Sequence, residues 1–312
     1  MAFRGAAGEV PVVHGIDLDV PAGRTLGIVG ESGCGKSVTM LAAMRLLDPR
    51  ARIEGRILLD GVDLLALPGE EMVRRRGRRL AMIFQDPMSS LNPVHTIGMQ
   101  IDEALGLHRG LAGEAARAEA VRLLDRVGIT AARRRLTEYP HQLSGGMNQR
   151  AMIVMALAGE PDLLIADEPT TALDVTIQAQ ILDLLRSLQE ERGMSIALIT
   201  HDLGVIADMA HRVAVMYCGR VVEAATTTAL FAEPQHPYTQ GLLSSLPVLG
   251  ERAAALRPIP GTVPEAGRLP PGCSFAPRCS EVRRACREKP PSLLYTASDH
   301  RVACVMQQTV AA

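Results

Sequence analysis

The sequence predicts an α/β protein with a parallel β-sheet. Five short apolar runs have the length and composition of buried strands, at 25–29, 80–84, 163–166, 195–200 and 213–217. Segments with helical spacing lie between them, among them the amphipathic stretch 177–190. Strands that alternate with helices are typical of a parallel sheet covered by helices. A glycine-rich loop at 30–37, between a predicted strand and a predicted helix, agrees with this fold class.

The loop at 30–37 reads GESGCGKS and matches the pattern G-x-x-x-x-G-K-[ST]. Its glycines let backbone N–H groups turn inward towards phosphate oxygens, and the helix that follows adds the positive end of its dipole. Lys36 supplies a point charge for the outer phosphates, and Ser37 offers a hydroxyl to Mg²⁺. The predicted phosphate-binding residues are Gly30, Glu31, Ser32, Gly33, Cys34, Gly35, Lys36 and Ser37. The loop therefore predicts a nucleoside triphosphate as ligand.

Composition argues against several classes of protein. The 312 residues are 47% hydrophobic, which suits one large or two smaller domains. A net charge of −1, no Trp, 4 Tyr and 4 Phe argue against a nucleic-acid partner. No apolar run approaches the roughly 18 residues of a membrane helix, and the N-terminus lacks the apolar core of a signal peptide. We therefore expect a cytosolic protein whose 6 Cys are thiols or metal ligands rather than disulfides.

The remaining elements follow in chain order. Alternating residues predict a strand within 10–20, and a helix is expected from Ser37 to Leu47. Residues 55–61 predict a strand that closes in an Asp60-Gly61 turn. The charge run at 70–79 is typical of a solvated helix face.

Two later segments differ in composition from the rest of the chain. Residues 97–136 carry apolar residues at helical spacing among Glu and Arg, which predicts a helical insert that continues to about residue 160. The eight prolines from Pro258 to Pro291 are too many for regular helix or sheet. We therefore predict a domain of residues 1–230 and a separate, turn-rich C-terminal extension of residues 231–312.

Two further stretches carry chemistry. Residues 163–168 read LLIADE, so an apolar strand delivers two carboxylates at the end where α/β sheets bind ligands. Asp167 suits Mg²⁺, and Glu168 suits a general base that polarises an attacking water. The stretch LSGGMNQR at 143–150 places Ser144, Gly145 and Gly146 before a predicted helix, as a second anion-binding helix N-terminus or as an ordinary N-cap.

Together, and in this order, these motifs resemble the nucleotide-binding subunit of an ATP-binding-cassette (ABC) transporter. The resemblance covers nearly the full chain and implies a P-loop core, with a RecA-like parallel sheet, an antiparallel β subdomain and a helical subdomain at about 86–160. It makes Gly30–Ser37 the Walker A loop, LLIADE the Walker B strand, and LSGGMNQR the signature, with Asn148 where Arg or Gln is more usual.

The resemblance also implies roles for single residues. Gln85 is similar to the glutamine that touches Mg²⁺ and senses the membrane partner, and His201 to the histidine that contacts the γ-phosphate. Ala172-Leu173-Asp174 resembles the D-loop. The chain opens at MAF, so Phe3 is the candidate for stacking on adenine, and the family's first strand is expected to be absent or shortened.

The resemblance further implies how the protein works. Two such domains meet head to tail and enclose ATP and Mg²⁺, so that Ser144, Gly145 and Gly146 act on the nucleotide of a second cassette subunit. Two membrane permease subunits and an extracytoplasmic substrate-binding protein are the other implied partners. The expected location is the cytoplasmic face of the inner membrane, as a peripheral subunit.

Several strings resemble the peptide-importer branch, which includes dipeptide, oligopeptide and nickel systems. They are GESGCGKSVTM, FQDPMSSLNP, MYCGRVVE, HPYTQGLLSSLP and IPGTVP. The expected function is therefore an ATPase that drives peptide import. The alternatives are a nickel or other small-solute importer, a soluble ABC ATPase without a transport role, and a regulatory module that holds ATP without hydrolysing it. Intact Glu168 and His201 argue against the last.

Four cysteines lie in the C-terminal extension with the spacing C-x5-C-x6-C-x17-C, which differs from the paired C-x2-C of zinc ribbons. Thiolates in a proline-rich segment with little core suggest a metal staple. Resemblance to the peptide-importer branch implies a [4Fe–4S] cluster, with zinc second and unliganded thiols a third possibility. The residues concerned are Cys273, Cys279, Cys286 and Cys304.

Overall fold

A computed structural model describes residues 1–5, 8–170, 174–245 and 258–308. The chain divides into two compact units. The first unit comprises Met1–Asp19, Thr25–Leu58 and Thr200–Ala312, and the second comprises Val20–Arg24 and Leu59–Ile199. No helix within the described ranges is both long enough and apolar enough to cross a membrane.

The strands of the first unit are β1 (Ala2–Gly5), β2 (Gly8–Pro11), β3 (Thr25–Val29), β9 (Arg212–Tyr217), β10 (Arg220–Thr226), β11 (Leu294–Ala297) and β12 (His300–Val302). Strands β1 and β2 form a separate hairpin, and the other five form a mixed sheet with the order β11-β12-β10-β9-β3. Strands β3 and β9 are parallel, and the other neighbours in this sheet are antiparallel. Its helices are α1 (Lys36–Ala43), α9 (Leu203–Met209), α10 (Thr227–Ala232), α11 (Pro237–Ser244) and α12 (Val305–Gln308), with 3₁₀ turns at Ala276–Arg278 and Arg284–Arg287. All five residues of β3 are buried, as expected for a strand covered on both faces.

The second unit contains a parallel sheet of β6 (Leu80–Ile83), β7 (Leu163–Asp167) and β8 (Ser195–Ile199). The strand order in this sheet is β8-β7-β6. Its helices are α2 (Gly69–Arg75), α3 (Pro87–Ser90), α4 (Ile97–Arg109), α5 (Gly113–Arg126), α6 (Ala132–Arg135), α7 (Gly145–Leu157) and α8 (Val175–Arg192), with a 3₁₀ turn at Pro140–Gln142. The predicted helical insert is confirmed, because α4 to α7 fill it and bury Leu105, Leu124 and Leu136 completely.

The hairpin of β4 (Leu58–Leu59) and β5 (Val62–Asp63) is shorter than the strand predicted over 55–61. Its turn is confirmed: Asp60 and Gly61 have φ of 50° and 78°, and a type I′ turn needs positive φ at both central residues.

Three sequence predictions are corrected by the structure. The strand expected within 10–20 ends at Pro11, because the N–H groups of Val12 and Val13 bond to the Met1 carbonyl instead of a strand ladder. Helix α1 stops at Ala43, because Arg45 adopts a left-handed conformation with φ 50°. The C-terminal extension is not made of turns alone, since β11 and β12 form a hairpin that pairs with β10.

Candidate nucleotide-binding site

The phosphate loop lies in the first unit, between buried β3 and helix α1, as the sequence predicts. Gly30, Gly33 and Gly35 have φ of 153°, 78° and 97°, conformations that residues with a Cβ rarely adopt. A Cβ at Gly30 would also overlap the carbonyl oxygen of Met216 on β9. The loop conformation therefore depends on glycine at these positions.

Lys36 begins α1, and its side chain is folded back over the loop. The residue is only 7% exposed, and its Nζ donates to the carbonyl oxygens of Gly30 at 2.7 Å and Glu31 at 3.1 Å. An ammonium held by loop carbonyls is a positive charge placed where an anion would enter the loop. Ser37 follows in the first helical turn and is half-buried.

The other predicted residues of this loop differ in exposure. Ser32 and Gly33 are exposed, whereas the Cys34 side chain is buried beneath the loop. Burial raises the pKa of the Cys34 thiol above its usual value, with Lys36 nearby opposing the shift. The Cys34 side chain thus packs beneath the loop as a protonated thiol, and only the backbone of this residue can face a ligand.

Two predicted residues of the first unit lie outside the loop. His201 is exposed, next to Asp202, whose side chain caps α9 by accepting from the N–H groups of Gly204 and Val205. Phe3 is half-buried in β1, where it pairs with Val10 of β2. A short strand is therefore present near the N-terminus, in the hairpin β1–β2, which agrees with the second of the two expectations, a shortened rather than an absent first strand.

Gln85 and Glu168 form a hydrogen bond in the second unit. The Gln85 amide donates to a Glu168 carboxylate oxygen at 2.9 Å. Glu168 follows the end of β7 with φ 48°, a conformation that costs a non-glycine residue about 1–3 kcal/mol. Its N–H donates to the Ile199 carbonyl at 2.8 Å, which holds this conformation. Asp167 precedes it and is 5% exposed.

The signature stretch forms the N-terminus of α7. Ser144 is the N-cap, and its hydroxyl accepts from the Met147 N–H at 3.3 Å, while Gly145 and Gly146 form the first turn. The polar residues that follow are buried and structural: the Asn148 amide donates to the Pro140 carbonyl at 2.9 Å. Ser144, Gly145 and Gly146 therefore occupy the helix start that the sequence predicts.

Sequence reasoning missed the connection between this helix and the Walker B strand end. The Gln149 amide donates to the Pro169 carbonyl at 2.6 Å, one residue beyond Glu168. Asp174 caps α8 by accepting from the Ile177 N–H at 2.9 Å. The other two residues of the predicted D-loop, Ala172 and Leu173, lie outside the described residues.

The Mg²⁺ ligands expected from the sequence are Ser37, Gln85 and Asp167. All three offer oxygen atoms, and oxygen is the ligand that Mg²⁺ prefers. In the described ranges no group of three or more His, Cys, Asp or Glu side chains is arranged to hold a metal ion by itself. Taken singly, each of these residues thus has the chemistry of a ligand for a Mg²⁺ that is also bound by phosphate oxygens.

The four cysteines of the C-terminal extension face one small cavity, which His236 and Phe275 also line. They are free thiols, and burial raises the pKa of Cys273, Cys279 and Cys304. Metals bind cysteine as the thiolate, so binding of a metal here would release protons from these thiols. The four side chains converge on one cavity, although no group of three or more His, Cys, Asp or Glu arranged to hold a metal is seen among the described residues. The metal staple stays a prediction.

A buried strand, a glycine-rich loop and a helix that begins with lysine define a P-loop nucleotide-binding protein. Residues 13–171 match the ABC transporter family, and residues 222–286 match the family described as oligopeptide/dipeptide transporter, C-terminal region. The chain belongs to the ABC transporter family.

Similar proteins agree with this assignment. The chain is 52% identical to a putative peptide import ATP-binding protein of Brucella melitensis biotype 1, with 99% of this chain and 96% of that protein covered. It is 50% identical to another of the same description from Brucella suis biovar 1, with coverage of 94% and 89%.

Two solved structures are also similar to this chain. One is a dimeric ATP-binding cassette in a post-hydrolysis state bound to ADP and Pi, with a TM-score of 0.66, 28% identity and coverage of 72% and 95%. The other is cbiO1 from Clostridium perfringens, described as part of the ABC transporter complex cbiONQ, with a TM-score of 0.61, 27% identity and coverage of 74% and 88%.

Proposed function

We propose that this chain is the ATP-hydrolysing subunit of an ABC importer that takes up di- and oligopeptides. One observation carries the proposal: a complete phosphate loop occurs in the same chain as a C-terminal region that matches the peptide-transporter family. A soluble cassette protein would need only the first feature. The relatives that share both along nearly their whole length are named as peptide import proteins.

In the proposed reaction, the loop N–H groups and Lys36 bind the phosphates of ATP. Glu168 accepts a proton from the attacking water, and Gln85 orients the Glu168 carboxylate through the hydrogen bond described above. Mg²⁺, when held by Ser37, Gln85 and Asp167, offsets the charge of the phosphate oxygens.

Other residues complete the proposed site. His201 contacts the γ-phosphate, and Phe3 stacks on adenine. Ser144, Gly145 and Gly146 bind the nucleotide of a second cassette subunit, since an N-cap and an open helix start suit an anion. Asp174 orders the start of α8 beside the D-loop.

The proposed assembly contains a second cassette subunit, two membrane permease subunits and an extracytoplasmic substrate-binding protein. This chain would lie at the cytoplasmic face of the inner membrane and hold to it through the permeases. Nucleic acid is not among the proposed partners, since the net charge is −1.

A [4Fe–4S] cluster at Cys273, Cys279, Cys286 and Cys304 is the finer proposal for the C-terminal region, with zinc as the alternative. The convergence of the four side chains on one cavity supports it, although the thiols would have to lose protons on binding. Iron and acid-labile sulfide should be found in anaerobically purified protein and lost on Cys286→Ser. The matched control is Cys218→Ser, because Cys218 is also buried but does not line the cavity. Zinc without iron would overturn the cluster.

The proposed ATPase is tested by Glu168→Gln in the assembled complex. Loss of a general base lowers turnover by about 10²–10⁴-fold, while binding of ATP should persist because the phosphate loop is untouched. The matched control is Glu190→Gln, at an exposed position of α8. Unchanged turnover in the Glu168 variant would refute its catalytic role. Transport assays with dipeptides, longer peptides and Ni²⁺ decide the cargo, and uptake of Ni²⁺ alone would replace peptide import.

A further inference from the structure

A residue of the C-terminal region binds the phosphate loop directly. Glu31, the first residue after Gly30, accepts two hydrogen bonds from the Arg278 guanidinium, Nη1 to Oε2 at 2.6 Å and Nη2 to Oε1 at 3.0 Å. The Arg278 side chain is only 4% exposed. Paired, parallel bonds between guanidinium and carboxylate are the strongest and most directional ion pairs in proteins.

Arg278 is held in place by its own surroundings. Its Nε donates to the Pro260 carbonyl at 2.8 Å, and its Nη1 also lies 3.3 Å from the Tyr217 hydroxyl. Its guanidinium carbon lies 5.8 Å from the centre of the Tyr217 ring. These contacts with Pro260 and Tyr217 orient the Arg278 guanidinium towards Glu31, and neither of them involves the phosphate loop.

Tyr238, on α11, holds the same loop residue at another atom. The Glu31 N–H donates to the Tyr238 hydroxyl at 2.8 Å. Tyr238 is completely buried and packs against the Tyr217 ring, with 4.7 Å between ring centroids. The Glu31 carbonyl in turn accepts from Lys36 at 3.1 Å. The N–H, the carbonyl and both carboxylate oxygens of Glu31 therefore all form hydrogen bonds. The partner of the carbonyl is Lys36, the lysine expected to bind phosphate.

The charge of Glu31 is unfavourable where it lies. The loop that is proposed to bind the phosphates of ATP carries the Glu31 carboxylate in its first turn. This carboxylate and the phosphates are both negative, and like charges at short range in a protein repel each other by several kcal/mol. A guanidinium that binds this carboxylate with both arms removes most of that repulsion. It also fixes the backbone of the first turn, on which inward-facing N–H groups depend.

We propose that Arg278 is a positioning residue of the nucleotide site: it neutralises Glu31 and fixes the first turn of the phosphate loop. Through Arg278, the C-terminal region thereby contributes to the ATP site, and this role is separate from the proposed metal cluster at the four cysteines. Cys279 follows Arg278 directly, so this contact begins at the wall of the cysteine cavity. The inference rests on the proposed function only in taking ATP as the ligand.

The test measures the Kd of the full-length chain for a fluorescent ATP analogue, together with KM and kcat of the assembled complex. R278Q leaves Glu31 unpaired, so Kd and KM should rise about tenfold, equal to about 1.4 kcal/mol, while kcat changes little. The double variant R278Q/E31Q has no unpaired charge, and its Kd should return to within about threefold of the wild type. The matched control is R268Q, because Arg268 is 83% exposed and pairs only at the surface with Glu265.

Each outcome decides one point. A wild-type chain that does not bind the analogue refutes the proposed function, whereas a binding wild type with an unchanged R278Q variant overturns the present inference. Equal loss in R278Q and R278Q/E31Q, at unchanged thermal midpoints, would refute the neutralising role. If R278Q does not fold, R278K tests the same contact, since lysine keeps the positive charge but loses the paired hydrogen bonds to Glu31. An expected rise of about threefold supports the inference, and wild-type affinity overturns it.

Discussion

Glu223 is a charged residue in the middle of an apolar strand, and we expect it to anchor the C-terminal region. It lies on β10 and is 0% exposed. Its carboxylate accepts from the N–H groups of Gln235 at 2.8 Å and His236 at 3.0 Å. It also lies 2.6 Å from Nε2 of His300 on β12, which donates because a carboxylate can only accept.

The cost of removing Glu223 follows from these contacts. Glu223→Ala leaves three buried donors without an acceptor, and a hydrogen bond to a charged group contributes about 1.5–3 kcal/mol. Because the three donors share one acceptor and their losses are not independent, we expect the free energy of unfolding to fall by about 4 kcal/mol.

Guanidinium unfolding followed by tyrosine fluorescence measures this loss. The chain has no Trp, and three of its four Tyr lie in the same unit as Glu223, namely Tyr217, Tyr238 and Tyr295. Tyr139 lies in the second unit, so the Tyr139→Phe background makes the signal report on the unit of Glu223. The matched control is Glu265→Ala, whose ion pair is exposed and should contribute less than about 1 kcal/mol. A loss below about 1 kcal/mol for Glu223→Ala, or a loss equal to that of the control, would refute the reasoning.

Three further predictions concern stability. A hydrogen bond from the Arg122 guanidinium lowers the pKa of Glu119 from 4.5 to about 2. The Glu119 carboxylate therefore stabilises the folded chain above pH 4.5, and this contribution is lost as the pH falls towards 2. In acid unfolding curves, Glu119→Gln should make the free energy of unfolding decrease less steeply over that pH range. At Gly219, where φ is 72°, Gly219→Ala would place a Cβ onto the Val12 carbonyl oxygen, and it should prevent folding as judged by circular dichroism. At Gly193, where φ is 65°, a Cβ meets open space, so Gly193→Ala should lower the free energy of unfolding by only about 1–2 kcal/mol. Equal effects of the two substitutions would contradict the steric argument. Asp174→Ala should lower the free energy of unfolding by about 1 kcal/mol, because it removes the N-cap of α8. Asp174→Asn should lower it by much less, because asparagine also caps helices. An equal loss in both variants would show that the cap is not the cause.

Part of the fold could be predicted because its causes are local. Strand β3, the phosphate loop and the start of α1 were expected within one residue of their observed bounds, since apolar runs, glycines and the following lysine act on neighbouring residues. The alternation at 10–20 misled for the same reason. It reflects alternating burial, but only a partner strand converts extended backbone into sheet.

The candidate site shows the same division. Each motif predicts the local role of its own residues, and these roles stay predictions. The Gln85–Glu168 hydrogen bond joins residues of two motifs that are 83 positions apart. The contacts of Gln149 with Pro169 and of Arg278 with Glu31 carry no local signal, because the partners are 20 and 247 residues apart in the sequence.

The sequence by itself determined the phosphate-binding loop, the two carboxylates after β7 and the helical insert, because short-range sterics and hydrophobic periodicity act within each segment. Only the tertiary structure decided which distant groups satisfy the buried charges. Arg278 binds Glu31, and His300 binds Glu223, because a buried charge must find a partner that the folded chain brings to it. The described residues of the C-terminal region accordingly lie in the same compact unit as the phosphate loop.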